Sequence, residues 1–271
     1  MSLFAVDPAK CQRDGVCVDE CPRFLVEMED QDSVPTPIEG ADQLCINCGH
    51  CVAVCPRGAL SLKTMTPDDC PSVRADLLPS AEQVDHFLRT RRSIRTFEDR
   101  VVPREVIARL IDVARYAPSG SNRQPVEWLV VYDSQEVRRL ARLVEEWLRH
   151  TTREQPQSST PSYASTLARA SEKRLDLTCR GAPHVVLAHA PKGLEANGVI
   201  ALTYLELAAY SLGVGACWAG FLNGAAQNWP PMQEALGLPR GHVSCGALLV
   251  GYPTYRYRRV PLRNEPRIAW R

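Results

Sequence analysis

The sequence lacks several features that would assign it to other classes of protein. It has no excess charge of either sign, since 32 lysines and arginines face 31 aspartates and glutamates, for a formal net charge of +1. We therefore expect no nucleic-acid partner, because such binding needs a basic surface. No apolar segment of the secretory type stands near the N-terminus. The longest apolar run, residues 198–218, contains Glu206, Ser211 and two internal glycines. It predicts a buried core helix and no membrane span.

Cysteine, by contrast, is abundant, and its spacing is the most informative feature of the chain. Of eleven cysteines, four form the run C-x2-C-x2-C-x3-C-P, at Cys45, Cys48, Cys51 and Cys55. Three thiolates at that spacing can hold one face of an iron–sulfur cluster, while the fourth, before the proline, ligates a second cluster. The run therefore predicts two clusters that pass single electrons.

A second cysteine run lies upstream and departs from the pattern. It has Cys11, Cys17 and Cys21 followed by Pro22, and Asp14 stands where the second ligand is expected. The predicted ligand sets cross over between the two runs. One set is Cys11, Cys17 and Cys55, with Asp14 or no fourth ligand, and the other is Cys45, Cys48, Cys51 and Cys21. A carboxylate is a harder ligand than a thiolate. The cluster at Asp14 is therefore either [4Fe–4S] with an oxygen ligand or [3Fe–4S] with that corner empty.

Zinc is the alternative occupant of paired cysteine runs. It is disfavoured because three cysteines fall within residues 45–51 and because Cys-Pro ends both runs. The segment resembles the bacterial two-cluster ferredoxins, and the resemblance implies a βαββαβ-like domain. The remaining cysteines are isolated and are expected to be free buried thiols: Cys70, Cys179, Cys217 and Cys245. Cluster thiolates and free cysteines together predict a reducing, cytoplasmic location.

Composition and periodicity divide the chain into a cluster domain at residues 1–63, a proline-containing linker at 64–82 and a larger mixed domain at 83–271. In the larger domain, helical spacing begins after Pro103 and again after Asp133, where Glu136 predicts a capping box. Residues 151–161 are polar and predicted to be irregular. Further predictions are strands at 128–132, 185–190 and 243–251, a short exposed helix at 162–178, and a buried helix at 197–212.

Four short motifs in the larger domain suit a ligand that carries a phosphate and a planar ring. Arginine forks match phosphate oxygens in bidentate fashion, and small residues let the backbone approach a flat heterocycle. Each motif is weak by itself. They are R-R-S-I-R at 91–95, A-P-S-G-S-N-R-Q-P at 117–125, G-V-G-A-C-W-A-G-F at 213–221, and G-Y-P at 251–253 with Arg256, Arg258 and Arg259 after it.

The order of these motifs resembles that of the nitroreductase-like FMN oxidoreductases, over residues 83–263. With the cysteine runs in front, the whole chain resembles a ferredoxin–nitroreductase fusion. The implied fold class is α+β: a ferredoxin-like domain with two [4Fe–4S] clusters, followed by an FMN-binding α+β sandwich. The family binds FMN at a homodimer interface, so the resemblance also implies a homodimer.

The resemblance places the cofactor on particular residues. Arg91, Ser93 and Arg259 would hold the FMN phosphate, and Arg95 would lie near the pyrimidine end of the ring. Backbone N–H groups at Ala219 and Gly220 would face flavin N5; many relatives carry glutamate at the position of Ala219. The neighbouring subunit would contribute Pro118, Ser119, Ser121 and Asn122, and Gln124 would reach the polar edge of the flavin. The set is completed by Arg92, Gly120, Trp218 and Arg258.

The function implied is transfer of electrons from the clusters to FMN and on to a small organic acceptor, such as a nitro compound or a quinone. A ferredoxin or another redox protein is the expected donor. NAD(P)H use is not expected, since no G-x-G-x-x-G follows a strand. The alternatives are a reductive dehalogenase or ene-type reductase, an enzyme that feeds electrons out to ferredoxin, and a non-catalytic electron-transfer subunit.

No residue outside the cofactor motifs is predicted to act as an acid or base. The six histidines are scattered through the chain and are expected to be structural or exposed. Cys217, beside Trp218, is expected to be a structural buried thiol rather than a redox centre. Tyr163 and Lys173 stand in the irregular segment where a lid over the acceptor would lie.

Overall fold

The computed structural model of the chain describes residues 3–154 and 176–271. Within them the chain separates into two compact units. Of the described residues, the first unit comprises 3–79 and 120–123, and the second comprises 80–119, 124–154 and 176–271. Among the helices described, none is both long and apolar enough to cross a bilayer.

The first unit contains two small antiparallel sheets. Strand β1 (Phe4–Val6) pairs with β4 (Leu60–Leu62), and β2 (Val26–Glu27) pairs with β3 (Thr36–Pro37). Three single-turn helices lie between the strands: α1 (Val16–Asp19), α2 (Ala41–Leu44) and α3 (His50–Ala53). The core between these elements is small and includes Phe4, Val26, Val52, Leu60 and Leu62. Because so little apolar surface is buried, we expect bound clusters to supply much of the stability of this unit.

Glycines in left-handed backbone conformation start the helical turns that carry cysteines. Gly15 precedes α1 with φ 72° and Gly49 precedes α3 with φ 74°. A Cβ atom at Gly49 would lie 2.6 Å from the Met65 sulfur, so a side chain there would have to displace the flexible end of Met65 as well as adopt a left-handed backbone that favours glycine. These glycines turn the chain sharply just before Cys17 and Cys51.

The second unit is built on a four-stranded antiparallel sheet with strand order β5-β6-β8-β7. Its strands are β5 (Glu127–Val131), β6 (His184–Pro191), β7 (Gly215–Trp218) and β8 (His242–Gly251). Its helices are α4 (Ala81–Thr90), α5 (Arg104–Ala114), α6 (Ser134–Glu154), α7 (Glu195–Ser211), α8 (Gly220–Asn228) and α9 (Pro230–Leu236).

Helices cover both faces of this sheet. Val185 and Leu187 of β6 face a core formed with α6, α8 and α9, whereas Val186 and Ala188 face a core formed with α5 and α7. A strand covered on both faces reads as a continuous apolar run, which explains why β6 and β8 could be predicted from sequence. The predicted α+β class is confirmed.

The structure corrects three local predictions. Residues 151–154 are helical and end α6, one turn after the buried Leu148; the Thr151 and Thr152 hydroxyls donate to the Trp147 and Leu148 carbonyl oxygens (2.9 and 2.8 Å). Residues 155–161 of that prediction lie outside the described residues. The capping box at Asp133 is wrong: Asp133 accepts the Gln135 N–H (2.8 Å), while the Glu136 carboxylate is bound to Arg139 (2.6 and 2.8 Å). Of the helix predicted at 162–178, only residues 176–178 are described and they are not helical. Tyr163 and Lys173 lie outside the described residues.

Two of the three isolated cysteines in the second unit, Cys179 and Cys245, are predicted to be unreactive. Burial raises the pKa of Cys179 to about 12 and that of Cys245 to about 11. With these pKa values, roughly one thiol in a thousand or fewer is ionised at pH 8. Because the thiolate is the reactive form, reactivity should rise only as the pH approaches the two pKa values. Mass spectrometry after iodoacetamide treatment at pH 8 should find both residues unmodified in native protein and modified in denaturant. Partly exposed Cys70 is the control that should react in both states. Rapid native modification of Cys179 would contradict this packing.

Candidate functional site

Four cysteines from both sequence runs line one cavity of the first unit. Its cysteine lining is Cys21, Cys45, Cys48 and Cys51, and we call it the four-cysteine cavity. The pKa of Cys51 is raised to about 11, first by burial and then by its neighbours Cys48 and Cys21. The buried Cys51 thiolate, with Cys48 and Cys21 beside it, is favoured when a cation compensates its charge. This arrangement therefore suits a positively charged metal centre.

A second cavity of the first unit brings together three cysteines and one carboxylate. These residues are Cys11, Asp14, Cys17 and Cys55, and we call it the aspartate cavity. The pKa of Cys17 is raised, first by burial and then by Cys55, Cys11 and Asp14. Each cavity thus contains one cysteine from the other run: Cys21 in the four-cysteine cavity and Cys55 in the aspartate cavity. This mixed composition is the one that the crossed ligand sets require.

Backbone N–H groups donate to several of these sulfurs. Leu25 donates to Cys21 Sγ at 3.4 Å, Asn47 to Cys45 Sγ at 3.4 Å, and Ala59 to Cys55 Sγ at 3.2 Å. Such bonds stabilise anionic sulfur and tune the reduction potential of a bound cluster. Thiol donors in two sets, supported by N–H bonds, are chemically suited to iron–sulfur clusters.

A large basic cavity, about 660 Å³ in volume, lies in the second unit. Backbone hydrogen bonds assemble its wall. Ile94 of the first arginine motif donates to the Ala216 carbonyl in β7 (2.9 Å), and the residues after that motif are joined to the C-terminal basic segment by Thr254, which donates to the Thr96 carbonyl (3.1 Å). Glu98 is the acidic residue of the lining, so the cavity carries net positive charge. We call it the arginine cavity after its arginines, Arg92, Arg100, Arg256, Arg258 and Arg259.

The lining of the arginine cavity also leaves room for a ligand to approach the backbone. Gly213, Val214 and Gly215 form part of its wall, with Tyr252 and Tyr257. Gly215 is required by packing, because a Cβ atom there would lie 2.8 Å from an Ile94 side-chain atom. Three predicted cofactor residues, Arg92, Arg258 and Arg259, therefore share one basic wall with small residues of the third motif.

Two other predicted residues, Arg91 and Trp218, meet at a buried carboxylate. Glu206 on α7 accepts a bond from Arg91 Nη1 at 2.8 Å and from Trp218 Nε1 at 3.1 Å, and its side chain is 8% exposed. Glu206 is not among the site residues predicted from the sequence. The available signal was one carboxylate within an otherwise apolar helix. Arg95 is exposed, and its charge acts to lower the pKa of Cys217, although burial raises that pKa overall. Ser93 is half-buried within the same segment.

Replacement of Glu206 is predicted to destabilise the second unit. In Glu206→Ala, the Arg91 guanidinium and the Trp218 indole N–H both lose their partner. Loss of one member of a buried ion pair costs several kcal/mol, and since Arg91 is partly exposed we expect about 2–4 kcal/mol. Urea unfolding followed by tryptophan fluorescence measures this. Glu206→Gln keeps an acceptor and should lose less. An unchanged unfolding midpoint in Glu206→Ala would contradict the role assigned to this carboxylate.

The loop at 117–125 has an unusual backbone. Ser121, Asn122 and Gln124 have φ values of 52°, 52° and 47°, which non-glycine residues rarely adopt. Ser119 Oγ accepts the Gln124 N–H at 2.9 Å. Within the first unit, the Asn122 side-chain amide donates to the carbonyl oxygens of Asn47 (2.8 Å) and Ile46 (3.3 Å), between Cys45 and Cys48. Strained positions of this kind cluster at functional sites.

Of the two backbone N–H groups predicted to face flavin N5, the structure leaves one available. The Ala219 N–H donates to the Ala247 carbonyl at 2.9 Å as an extension of the sheet, so this N–H is already paired. Gly220 is the first residue of α8, where N–H groups have no partner within the helix. Ser119 and Gln124 do not line the arginine cavity, and the resemblance assigns the loop of Pro118 and Ser119 to the cofactor of a neighbouring subunit.

Comparison with known proteins assigns both units. Residues 88–252 match the model of the nitroreductase family, and residues 4–56 match that of a 4Fe-4S dicluster domain. A relative from Archaeoglobus fulgidus, named provisionally as an NADH dehydrogenase/NAD(P)H nitroreductase, is 27% identical over 173 residues, which cover 64% of this chain and 86% of the relative. An iodotyrosine deiodinase from Haliscomenobacter hydrossis is 37% identical over 60 residues, 22% of this chain and 27% of that protein.

The same fold is found among solved structures. A nitroreductase with bound FMN from Desulfitobacterium hafniense has a TM-score of 0.55 at 21% identity, covering 68% of this chain and 96% of that one. The family match extends over more than half of the chain, and the dicluster match contains all seven cysteines of the two runs. The chain therefore belongs to the nitroreductase family and carries a 4Fe-4S dicluster domain at its N-terminal end.

Proposed function

We propose that this protein is an FMN-dependent oxidoreductase that takes electrons in at two iron–sulfur clusters and delivers them to a small organic acceptor, such as a nitro compound or a quinone. The observation that carries the proposal is the presence, in one chain, of two cysteine-lined cavities and a basic cavity on a nitroreductase fold. When bound, the clusters carry single electrons and the flavin exchanges either one electron or two.

In this proposal the first unit holds the clusters through the two mixed sets of cysteines. Cys21, Cys45, Cys48 and Cys51 bind one cluster, and Cys11, Cys17 and Cys55 bind the other, with Asp14 at or beside its fourth corner. Seven thiolates must stay reduced and accessible to iron for these sites to be loaded. We therefore place the protein in a reducing compartment, the cytoplasm.

The second unit holds the flavin through its basic residues. The wall formed by Arg92, Arg258 and Arg259 neutralises the phosphate, since guanidinium groups bind phosphate oxygens strongly and in a fixed geometry. Glu206 holds Arg91, the neighbour of Arg92 in the chain, and Trp218 through its two hydrogen bonds. Ser93 and Arg95 belong to the same segment, and the Gly220 N–H offers a backbone donor to the polar edge of the ring.

The loop that contains Ser119, Ser121, Asn122 and Gln124, with Pro118 and Gly120, is assigned to the flavin of a second copy of the chain. The site is then complete only in a homodimer. The strained φ values of this loop support a ligand-facing role, because such conformations are kept where the backbone must present particular groups.

Halogenated aromatic compounds are a second candidate class of acceptor. The observation that favours them is the local 37% identity, over 60 residues, to an iodotyrosine deiodinase. The electron donor is proposed to be a reduced ferredoxin or a similar protein, because a cluster domain on the same chain can receive single electrons directly. NAD(P)H is the competing donor, as the name of the Archaeoglobus fulgidus relative suggests.

The test is a turnover assay under anaerobic conditions with the purified holoprotein. Reduced ferredoxin, NADH and NADPH are compared as donors, with 4-nitrobenzoate, menadione and 3-iodotyrosine as acceptors. We expect reduction of a nitro compound or quinone with ferredoxin as donor, and its loss in Cys48→Ala. Deiodination alone would move the substrate to the second class. Flavin-loaded protein that reduces none of these acceptors would contradict the proposed activity and leave an electron carrier.

A further inference from the structure

Two histidines and a glutamate converge at one end of the sheet in the second unit. Glu127 is the first residue of β5, His189 lies on β6, and His242 is the first residue of β8. The strand register places Glu127 directly opposite His189. None of the three residues lines the arginine cavity, and none belongs to the motifs that carry the proposed function.

A β-bulge brings the two histidines together. Ala188 pairs with Gly246, but the next residue, His189, pairs with Ser244, so Cys245 is an extra residue on β8. Gly246 has φ 152°, and a Cβ atom there would lie 2.9 Å from Leu202 and from the Trp218 ring. Bulges re-aim side chains and are kept as specific features of a fold. Here the bulge leaves the Nδ1 atoms of His189 and His242 only 3.0 Å apart.

The three side chains form a compact set of donors. One ligand atom from each residue can be chosen so that all three lie within 4.8 Å of one another. His242 offers one nitrogen to an ion: its Nδ1 is the nitrogen next to His189, whereas its Nε2 lies 3.9 Å from Glu127 Oε1. Two nitrogens bound to one tetrahedral zinc ion are about 3.3 Å apart, close to the Nδ1–Nδ1 distance observed. A hydrogen bond between the imidazoles and a long His242–Glu127 ion pair would hold the three side chains without an ion, so the test below must separate that arrangement from a bound metal.

The three side chains differ in solvent exposure, and a metal site open to solvent needs both a fixed ligand and an accessible one. His189 is 5% exposed and therefore fixed by its surroundings. The side chain of His242 is 14% exposed, whereas that of Glu127 is 58% exposed and free to adjust to an ion. Three protein ligands with solvent on one side leave a fourth tetrahedral position for water.

We propose that Glu127, His189 and His242 form a site for a divalent transition-metal ion, with Zn²⁺ as the ion that their donor set suits. Imidazole nitrogen suits zinc, copper and nickel among the common metals, and one carboxylate oxygen is compatible with zinc. A bound ion would link three adjacent strands, β5, β6 and β8, at the end where the bulge interrupts their pairing. Its effect would be to stabilise the second unit, independently of the clusters.

The experiment uses anaerobically purified holoprotein, so that cluster iron occupies the cysteine sites. ZnCl2 is added, unbound metal is removed by gel filtration, and zinc and iron are counted by mass spectrometry. We expect one zinc per chain beyond the clusters, with the iron content unchanged. We also expect a zinc K-edge absorption spectrum with nitrogen and oxygen neighbours at about 2.0 Å and no sulfur at about 2.3 Å.

Variants separate this site from adventitious binding. His242→Gln should retain no zinc and show no zinc-dependent rise in melting temperature, whereas the matched change His150→Gln should behave as wild type. Glu127→Gln lies at an exposed position where folding tolerates the change, and it should weaken zinc binding at least about tenfold. If His242→Gln misfolds, Glu127→Gln serves as the test of the site. Absence of zinc from wild type, sulfur neighbours in the spectrum, or equal zinc affinity in wild type and Glu127→Gln would overturn the proposal.

Discussion

Cys55→Ala is expected to abolish the cluster in the aspartate cavity and to spare the one in the four-cysteine cavity. Cys55 belongs by sequence to the run of Cys45, Cys48 and Cys51, but it lies with Cys11 and Cys17 in space. Loss of one thiolate ligand from a buried cluster leaves an iron without its charge partner, and the cluster dissociates or rearranges. The iron content should fall to about four per chain, from about eight, or from about seven if the aspartate cavity holds a three-iron cluster.

Variants of the other cysteines test which residues share a cluster. EPR spectra of the reduced proteins should show the same surviving signal in Cys55→Ala and Cys17→Ala. A different surviving signal should be common to Cys21→Ala and Cys48→Ala. Cys70→Ala, outside both linings, is the control and should keep both signals. If the surviving EPR signal of Cys55→Ala were instead the same as that of Cys48→Ala, each sequence run would bind its own cluster and the crossed ligand sets would be wrong.

The double variant Arg92→Ala/Arg259→Ala is expected to lose most of its affinity for FMN. Each charge-assisted hydrogen bond to phosphate contributes about 1.5–3 kcal/mol. Removal of both guanidinium groups should therefore raise the FMN dissociation constant roughly 10²–10⁴-fold. Fluorescence titration of flavin-depleted protein measures the constant, and the loss should be smaller for riboflavin, which has no phosphate.

A matched control for this variant is Arg104→Ala. Arg104 is also an arginine of the second unit, but its guanidinium lies 4.3 Å from the centre of the Tyr132 ring and does not line the arginine cavity. Its replacement should leave FMN affinity unchanged. If the double variant bound FMN as tightly as wild type, the arginine cavity would not be the phosphate site, and the assignment of the basic segments would have to be abandoned.

The sequence predicted the metal chemistry well because ligand spacing is a local property. A cluster fixes how many residues separate its ligands, and the spacing from Cys45 to Cys55 is visible without a structure. The position of Asp14 among the cysteines was visible for the same reason. The basic cavity is different: Arg92 and Arg259 are far apart in the chain, and only the order of motifs shared with a known family suggested that they meet.

What the sequence could not predict depends on long-range packing. Glu206 was seen as an interruption in an apolar run, but its bonds to Arg91 and Trp218 depend on how α7 packs against β7. The capping box failed because Glu136 has a competing partner, Arg139, one turn further along α6. The meeting of His189 and His242 depends on a bulge in β8, and the histidines looked scattered because a one-residue shift in strand register leaves no periodic signal.

The most direct test of the account is a cofactor count on one anaerobic preparation of the chain. Iron, acid-labile sulfide and flavin are measured against protein on the same sample. The account predicts about eight irons per chain, or about seven if the aspartate cavity holds a three-iron cluster, with about one FMN. A colourless preparation, or one with zinc as its metal and no flavin, would contradict it.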